Sequence, residues 1–128
     1  MPIFFTPEQA NDYLPEVRRV VHRVLAINKD TYDSTSHGTS KMRQLEREVQ
    51  KLEELGCLLK DVNTGLVGFP AVGLGRRVWS CWMPGEDRVS FWHKLEEGYA
   101  GRKMILKDEF YDDDAAIRSL AEVAKSEP

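Results

Sequence analysis

This sequence lacks the marks of most specialised chemistries. Only two of its 128 residues are cysteine, Cys57 and Cys81. That is too few for a disulfide framework and does not give the repeated pairs of a structural zinc site. A reducing cytoplasm with both thiols free is the simplest setting. No apolar run approaches the length of a membrane span. Met1-Pro2-Ile3-Phe4-Phe5 has neither the basic region nor the long apolar region of a signal peptide. Basic excess is missing too: the net charge is −3, whereas a dedicated nucleic-acid binder carries a basic face. There is no Gly-x-Ser-x-Gly, no phosphate loop, no His-Glu-x-x-His and no dinucleotide glycine pattern. No internal repeat and no low-complexity segment occurs.

What is present is the material of a soluble globular protein. Hydrophobic residues make up 41% and charged residues 30%, both ordinary values. At this length about two-thirds of the unfolded surface can be buried, so residues 1–128 are expected to form one domain with a real core. Residues 108–114 carry five carboxylates and no base, which reads as a solvated helix start.

Thr6-Pro7-Glu8-Gln9 has the capping-box pattern, with proline at the first helical position, where its missing N–H costs nothing. Phe5 and Ala10 are placed for a weak hydrophobic staple. Pro15 should kink or restart the helix near Leu14. The helix then runs to Lys29, with Val17, Val20, Val21, Val24 and Ile27 inward and Arg18, Arg19 and Arg23 outward. Residues 31–40 form a polar connection in which His37 is expected to be solvated. A second helix spans about Ser40 to Leu55. Its apolar residues Met42, Leu45, Val49 and Leu52 follow a narrow coiled-coil seam. Gly56 stops it as a left-handed cap. The seam cannot close a core alone, so the hairpin must dock on a sheet, on another subunit, or on both.

After Gly56 the period becomes two. Cys57–Lys60 and Leu66–Phe69 read as strands joined by a turn at residues 61–65, with Pro70 ending the second. Arg76–Met83 and Arg88–His93 form a hairpin around Pro84-Gly85-Glu86-Asp87 and contain all three tryptophans. Residues 94–107 look irregular. A last helix, about Asp112 to Lys125, should bury Ile117, Leu120 and Val123 behind a cap of aspartates. The expected fold is α+β: a helical hairpin over residues 6–56, an antiparallel meander of about four strands over 57–95, and an irregular segment with a C-terminal helix over 96–128.

Four stretches together resemble a known family. They are Phe5-Thr6-Pro7-Glu8-Gln9-Ala10-Asn11 with Leu14-Pro15; Leu55-Gly56 with Lys60-Asp61; and Gly65-Leu66-Val67-Gly68-Phe69-Pro70. The fourth runs from Gly75-Arg76 through Cys81-Trp82, Gly85-Glu86, Trp92-His93 and Gly98 to Gly101-Arg102. The combination, over about residues 4–104, is similar to the prokaryotic family called domain of unknown function 2203. Where this chain has Gly68 the family usually carries an acidic residue. The resemblance implies a small bacterial protein and supplies no activity, substrate or catalytic residue.

Within the hairpin, a turn centred on Gly85-Glu86 would pair Trp82 with Val89, Ser80 with Phe91 and Trp79 with Trp92. Cys81 and His93 would then point to opposite faces, which argues against a zinc site between them. Trp79 and Trp92 would form a cross-strand aromatic pair. No metal and no cofactor are expected. Trp82, Trp92, His93 and Arg102 are the candidate ligand-binding residues. The leading functional expectation is a non-catalytic binding or assembly module, working as a homodimer with an unidentified small-molecule or protein partner. The alternative is a small enzyme or anion-binding protein in which His93 acts as acid–base group, Glu86 or Glu96 orients it and Arg102 holds substrate charge. Structural counterparts are an imidazole bonded to a backbone carbonyl or to Glu96, a salt bridge at Arg102 and an Asp61 side chain capping its own turn. Neither membrane nor nucleic acid is expected as a partner, although Arg18, Arg19, Arg23, Arg43 and Arg47 could line the helical hairpin.

Overall fold

A computed structural model describes residues 2–29, 38–73, 75–106 and 110–126. Helix α1 runs over Pro7–Lys29 and α2 over Gly38–Glu54. Five strands follow: β1 Leu58–Asp61, β2 Leu66–Gly73, β3 Arg76–Trp82, β4 Phe91–Lys94 and β5 Lys103–Met104. Helix α3, Asp113–Ser126, closes the order. The strands form one antiparallel sheet in the order β1-β2-β3-β4-β5. The α+β architecture therefore holds, with one more strand than expected. That strand lies in the segment read as irregular, since two residues carry no visible period.

The start of α1 is the expected capping box. The Gln9 N–H donates to Thr6 Oγ1 at 3.2 Å, and the Thr6 N–H donates to Gln9 Oε1 at 2.9 Å. Pro15 does not restart the helix, which is continuous through it. The packing supplies a reason: Leu14 and Val17 on either side are buried in the core, and their contacts outweigh the loss of one helical hydrogen bond. Helix α2 returns antiparallel to α1, because Arg23 meets Glu48 and Lys41 meets the Asn28 carbonyl. It ends in a Schellman turn, with Gly56 at φ 93° and the Cys57 N–H donating to the Leu52 carbonyl at 3.1 Å. His37 lies outside the described residues.

Strand β2 does not stop at Pro70 but continues to Gly73. The partner strand explains it. Strand β1 reaches only as far as Gly68, so β2 has an open edge beyond that point. The Pro70 carbonyl faces this edge and accepts the Phe5 N–H at 2.7 Å. A strand residue's N and C=O point the same way, so the missing proline N–H would have faced the edge as well.

One face of the sheet is sealed. Val67 pairs with Trp82, Phe69 with Ser80 and Ala71 with Val78, and all six are buried. Val67, Phe69 and Trp82 join Phe5, Leu14, Val17, Val21, Val24 and Leu52 in one core cluster. Cys57 lies in that cluster and acts as a small hydrophobe, its thiol pushed up to about 12 by burial. At the other end, Asp112 caps α3 through the Ala115 N–H at 3.0 Å. Helix α3 buries Ala116, whereas Ile117, expected inside, is 53% exposed. A one-residue rotation of the apolar stripe accounts for the exchange. The Val123 expectation lies outside the described side chains. Among the described residues no helix is long and apolar enough to cross a membrane.

Candidate functional site

The other face of the sheet carries the chemistry. Its composition follows from a register that differs by one residue from the expected one. Strand β3 pairs with β4 as Val78 with Lys94, Trp79 with His93, Ser80 with Trp92 and Cys81 with Phe91. The tight turn exists: the Glu86 N–H donates to the Met83 carbonyl at 3.1 Å, and Gly85 takes φ 101°. The strands do not resume directly after it. Residues 87–90 are drawn onto α1 instead, where the Val89 N–H donates to Asn11 Oδ1 at 2.8 Å and Arg18 Nη2 donates to the Asp87 carbonyl at 3.0 Å. The slip by one exchanges the faces of every β4 side chain.

Two expectations are corrected by this slip. Cys81 and His93 share a face, so the parity argument against a joint metal site fails. Trp79 and Trp92 lie on opposite faces and form no pair. Trp92 instead meets Phe110 edge-on at 6.3 Å. Among the described residues no group of three or more His, Cys, Asp and Glu side chains is placed to hold a metal ion.

This face centres on Cys81, which is itself fully buried. Arg102 Nε donates to its sulfur at 3.1 Å, while Arg102 Nη2 grips both Glu86 carboxylate oxygens at 2.8 and 2.6 Å. The guanidinium also stacks over Phe91, 4.2 Å from the ring centroid. Glu86 is fully committed: Oε1 accepts the Met83 N–H at 2.8 Å, and its backbone carbonyl accepts Trp82 Nε1 at 2.9 Å. Burial alone would lower the Arg102 pKa, but its bonds to Glu86 and Cys81 outweigh that and raise it. Burial pushes the Cys81 thiol up, with Arg102 opposing, so a protonated sulfur accepts the Arg102 N–H at neutral pH.

Next to this cluster, Lys60 Nζ sits 3.5 Å from the Trp79 ring centroid. The stack depends on Gly68. A Cβ there would come within 2.7 Å of Lys60 Cε and 2.9 Å of Trp79 Cε3. Packing on the indole strips water from the ammonium and lowers the Lys60 pKa, with the nearby Cys81 opposing.

Of the residues singled out from sequence, His93 and Arg102 lie on this face and Glu86 closes its rim. Trp82 is buried on the sealed face, and Trp92 faces away. His93 is 4% exposed, and its Nδ1 lies 2.8 Å from the Lys94 carbonyl, the backbone-bonded arrangement. Glu97 bonds Lys103 and the Lys94 N–H, and Glu96 is exposed. Asp61 caps its turn through the Asn63 N–H at 2.8 Å. Lys60, Phe91 and Gly68 were not foreseen as neighbours. Their meeting depends on cross-strand register, which no local spacing reveals.

A second feature lies on α2. Met42, Leu45, Glu46, Val49, Gln50 and Glu53 line a shallow groove. Only Leu52 of the expected seam is fully buried, and Met42 is 58% exposed. Residues 30–105, more than half the chain, match the family described as an uncharacterized conserved protein, domain of unknown function 2203. No curated protein and no solved structure matches the chain.

Proposed function

Because the chain belongs to this family of uncharacterized conserved proteins, a membership that carries no activity with it, we propose from its geometry that it is a non-catalytic assembly module acting as a homodimer joined through α2. The observation that carries the reading is the half-used seam. Leu45 and Leu52 pack on the core, while exposed Met42 and half-buried Val49 line the outward groove. Charge favours a second copy as the cover. The open side starts at Arg43 and ends at Glu53 and Glu54, so an antiparallel pairing sets each basic start beside an acidic end.

Magnitude sets the strength of the association. Burying Met42 and Val49 from two copies contributes roughly 1.5–3 kcal/mol per side chain. Association costs about 4–15 kcal/mol in lost freedom. The surplus is at most about 8 kcal/mol, so micromolar affinity is the upper bound for a weak, concentration-dependent dimer, not a permanent one. The setting assumed is a bacterial cytoplasm, where Cys57 and Cys81, both free and buried, stay reduced. The competing enzyme reading loses support, because Glu86 and Arg102 are spent on each other and His93 is tied to the backbone.

Light scattering across a concentration series from about 10 to about 500 μM tests the proposal. The wild type should approach twice the monomer mass, and Met42→Asp and Val49→Asp should stay monomeric with unchanged circular dichroism. A wild type that is monomeric throughout the series refutes it.

A further inference from the structure

Three cations lie over three aromatic rings along the open side of the sheet. Arg102 covers Phe91, Lys60 covers Trp79, and Arg77 Cζ lies 5.8 Å from the ring of Phe4. Alternation along β3 puts Arg77, Trp79 and Cys81 on one face. The three cations are not equivalent. Arg102 is neutralised by Glu86. Among the described residues neither Lys60 nor Arg77 has a carboxylate partner. In a chain of net charge −3 this is a local positive field around a half-buried indole. The nearby carboxylates are engaged elsewhere: Glu97 is paired with Lys103, Glu86 with Arg102, and Asp113, beside Phe4, accepts the Ile3 and Phe4 N–H groups.

From this juxtaposition we infer that the Lys60–Trp79–Arg77 face binds a small free molecule that carries one anionic group on a planar ring. The ring would lie along the part of the Trp79 indole that Lys60 leaves uncovered, and the anion would reach Lys60 and Arg77. Residues 77 and 79 stand about 7 Å apart along the strand, the span of one ring with one attached carboxylate or phosphate. Lys60 is the group with most to gain. Its ammonium has given up water to the indole without receiving a counter-charge, and a bound anion supplies one. A polyanion fits less well, since the whole chain is acidic and residues 108–114 hold five carboxylates. This inference does not rest on the dimer, because α2 takes no part in the face.

The test uses AMP, UMP and salicylate as planar anions, adenosine and inorganic phosphate as the separate halves, and an oligothymidylate octamer as the polymeric alternative. Indole N–H signals are followed in two-dimensional NMR, with Trp79→Phe identifying the Trp79 peak. At least one planar anion should shift that peak and leave Trp82 unmoved, with a Kd of about 0.1–1 mM, while its halves bind at least about tenfold more weakly. Lys60→Gln should weaken binding about tenfold and Arg77→Gln severalfold, whereas Lys103→Gln on the opposite face should not. Gly68→Ala should also weaken it, by pushing Lys60 off the ring. Lys60 is exposed, so Lys60→Gln should fold normally and keeps the test decisive if Gly68→Ala does not. The inference is overturned if no planar anion moves the Trp79 peak at about 10 mM, or if Lys60→Gln binds as the wild type does. Much tighter binding of the octamer than of UMP would overturn it in favour of single-stranded nucleic acid. Repeating the titration on Met42→Asp separates this result from the oligomeric state.

Discussion

Helices α1 and α2 are joined partners with opposite fates. Helix α1 buries Ala10, Leu14, Val17, Val20, Val21 and Val24, interrupted by a proline and crowded with β-branched residues that are indifferent helix formers. Helix α2 has the more regular seam and the better helix formers, yet among its described residues Leu52 is the only fully buried apolar side chain. Regularity of pattern and depth of burial are thus different properties. The irregular stripe of α1 is wide enough to meet both the sheet and α2. The narrow stripe of α2 meets α1 along one edge and leaves Met42 exposed on the other.

The largest test of this contrast is truncation on each helix. Leu14→Ala should cost about 2–5 kcal/mol in denaturant unfolding, the range for emptying a closed core site. Met42→Ala should change monomer stability by less than about 0.5 kcal/mol, as surface substitutions do. Equal losses at the two positions would erase the distinction between the helices.

A smaller effect concerns the one carboxylate admitted between them. Glu48 is 8% exposed and lies 2.9 Å from both Arg23 Nε and Lys51 Nζ. Burial would raise its pKa, but the hydrogen bonds and charges of Lys51 and Arg23 outweigh burial and lower it. A lowered folded-state value means the pair stabilises fully above the unfolded pKa of about 4.3 and loses its contribution as pH falls through the folded value. Glu48→Gln should therefore be less stable than wild type at pH 7 by about 1 kcal/mol. The gap should close as the pH is lowered below about 4. A gap that persists unchanged at low pH would mean that the carboxylate charge is not what Arg23 and Lys51 hold.

How far these features could be read from the sequence follows the range of the interaction. Thr6, Gly56, Asp61 and Gly85 declared themselves because a cap or turn is decided within a few residues. Of the kink or restart expected at Pro15, the restart does not occur, because Leu14 and Val17 pack on elements far along the chain. Pro70 was misread for a similar reason: a proline is tolerated where β1 has already ended, and only the assembled sheet shows where that is. In the site, Glu86 and Arg102 were recognised as polar groups near the hairpin, and a salt bridge at Arg102 was among the readings considered, but not Glu86 as its partner. The Trp79 environment was not recoverable. Anchoring of residues 87–90 on α1 sets the β3–β4 register, and that register decides whether Trp79 meets Trp92 or His93.

The finest probe of the helix contrast is a cross-link. Midway between Arg43 and the Glu53–Glu54 end, Val49 is the groove residue closest to where this antiparallel α2–α2 pair would place its two-fold axis. Cys57 and Cys81 are buried and should not compete. Under mild oxidation Val49→Cys should give a disulfide-linked dimer, because Cα atoms near such an axis fall within about 7 Å of each other. A control cysteine at Arg19, on the outer side of α1, should not. If Val49→Cys stays unlinked under conditions that oxidise free thiols in solution, α2 does not meet its own copy and the account of the half-used seam is wrong.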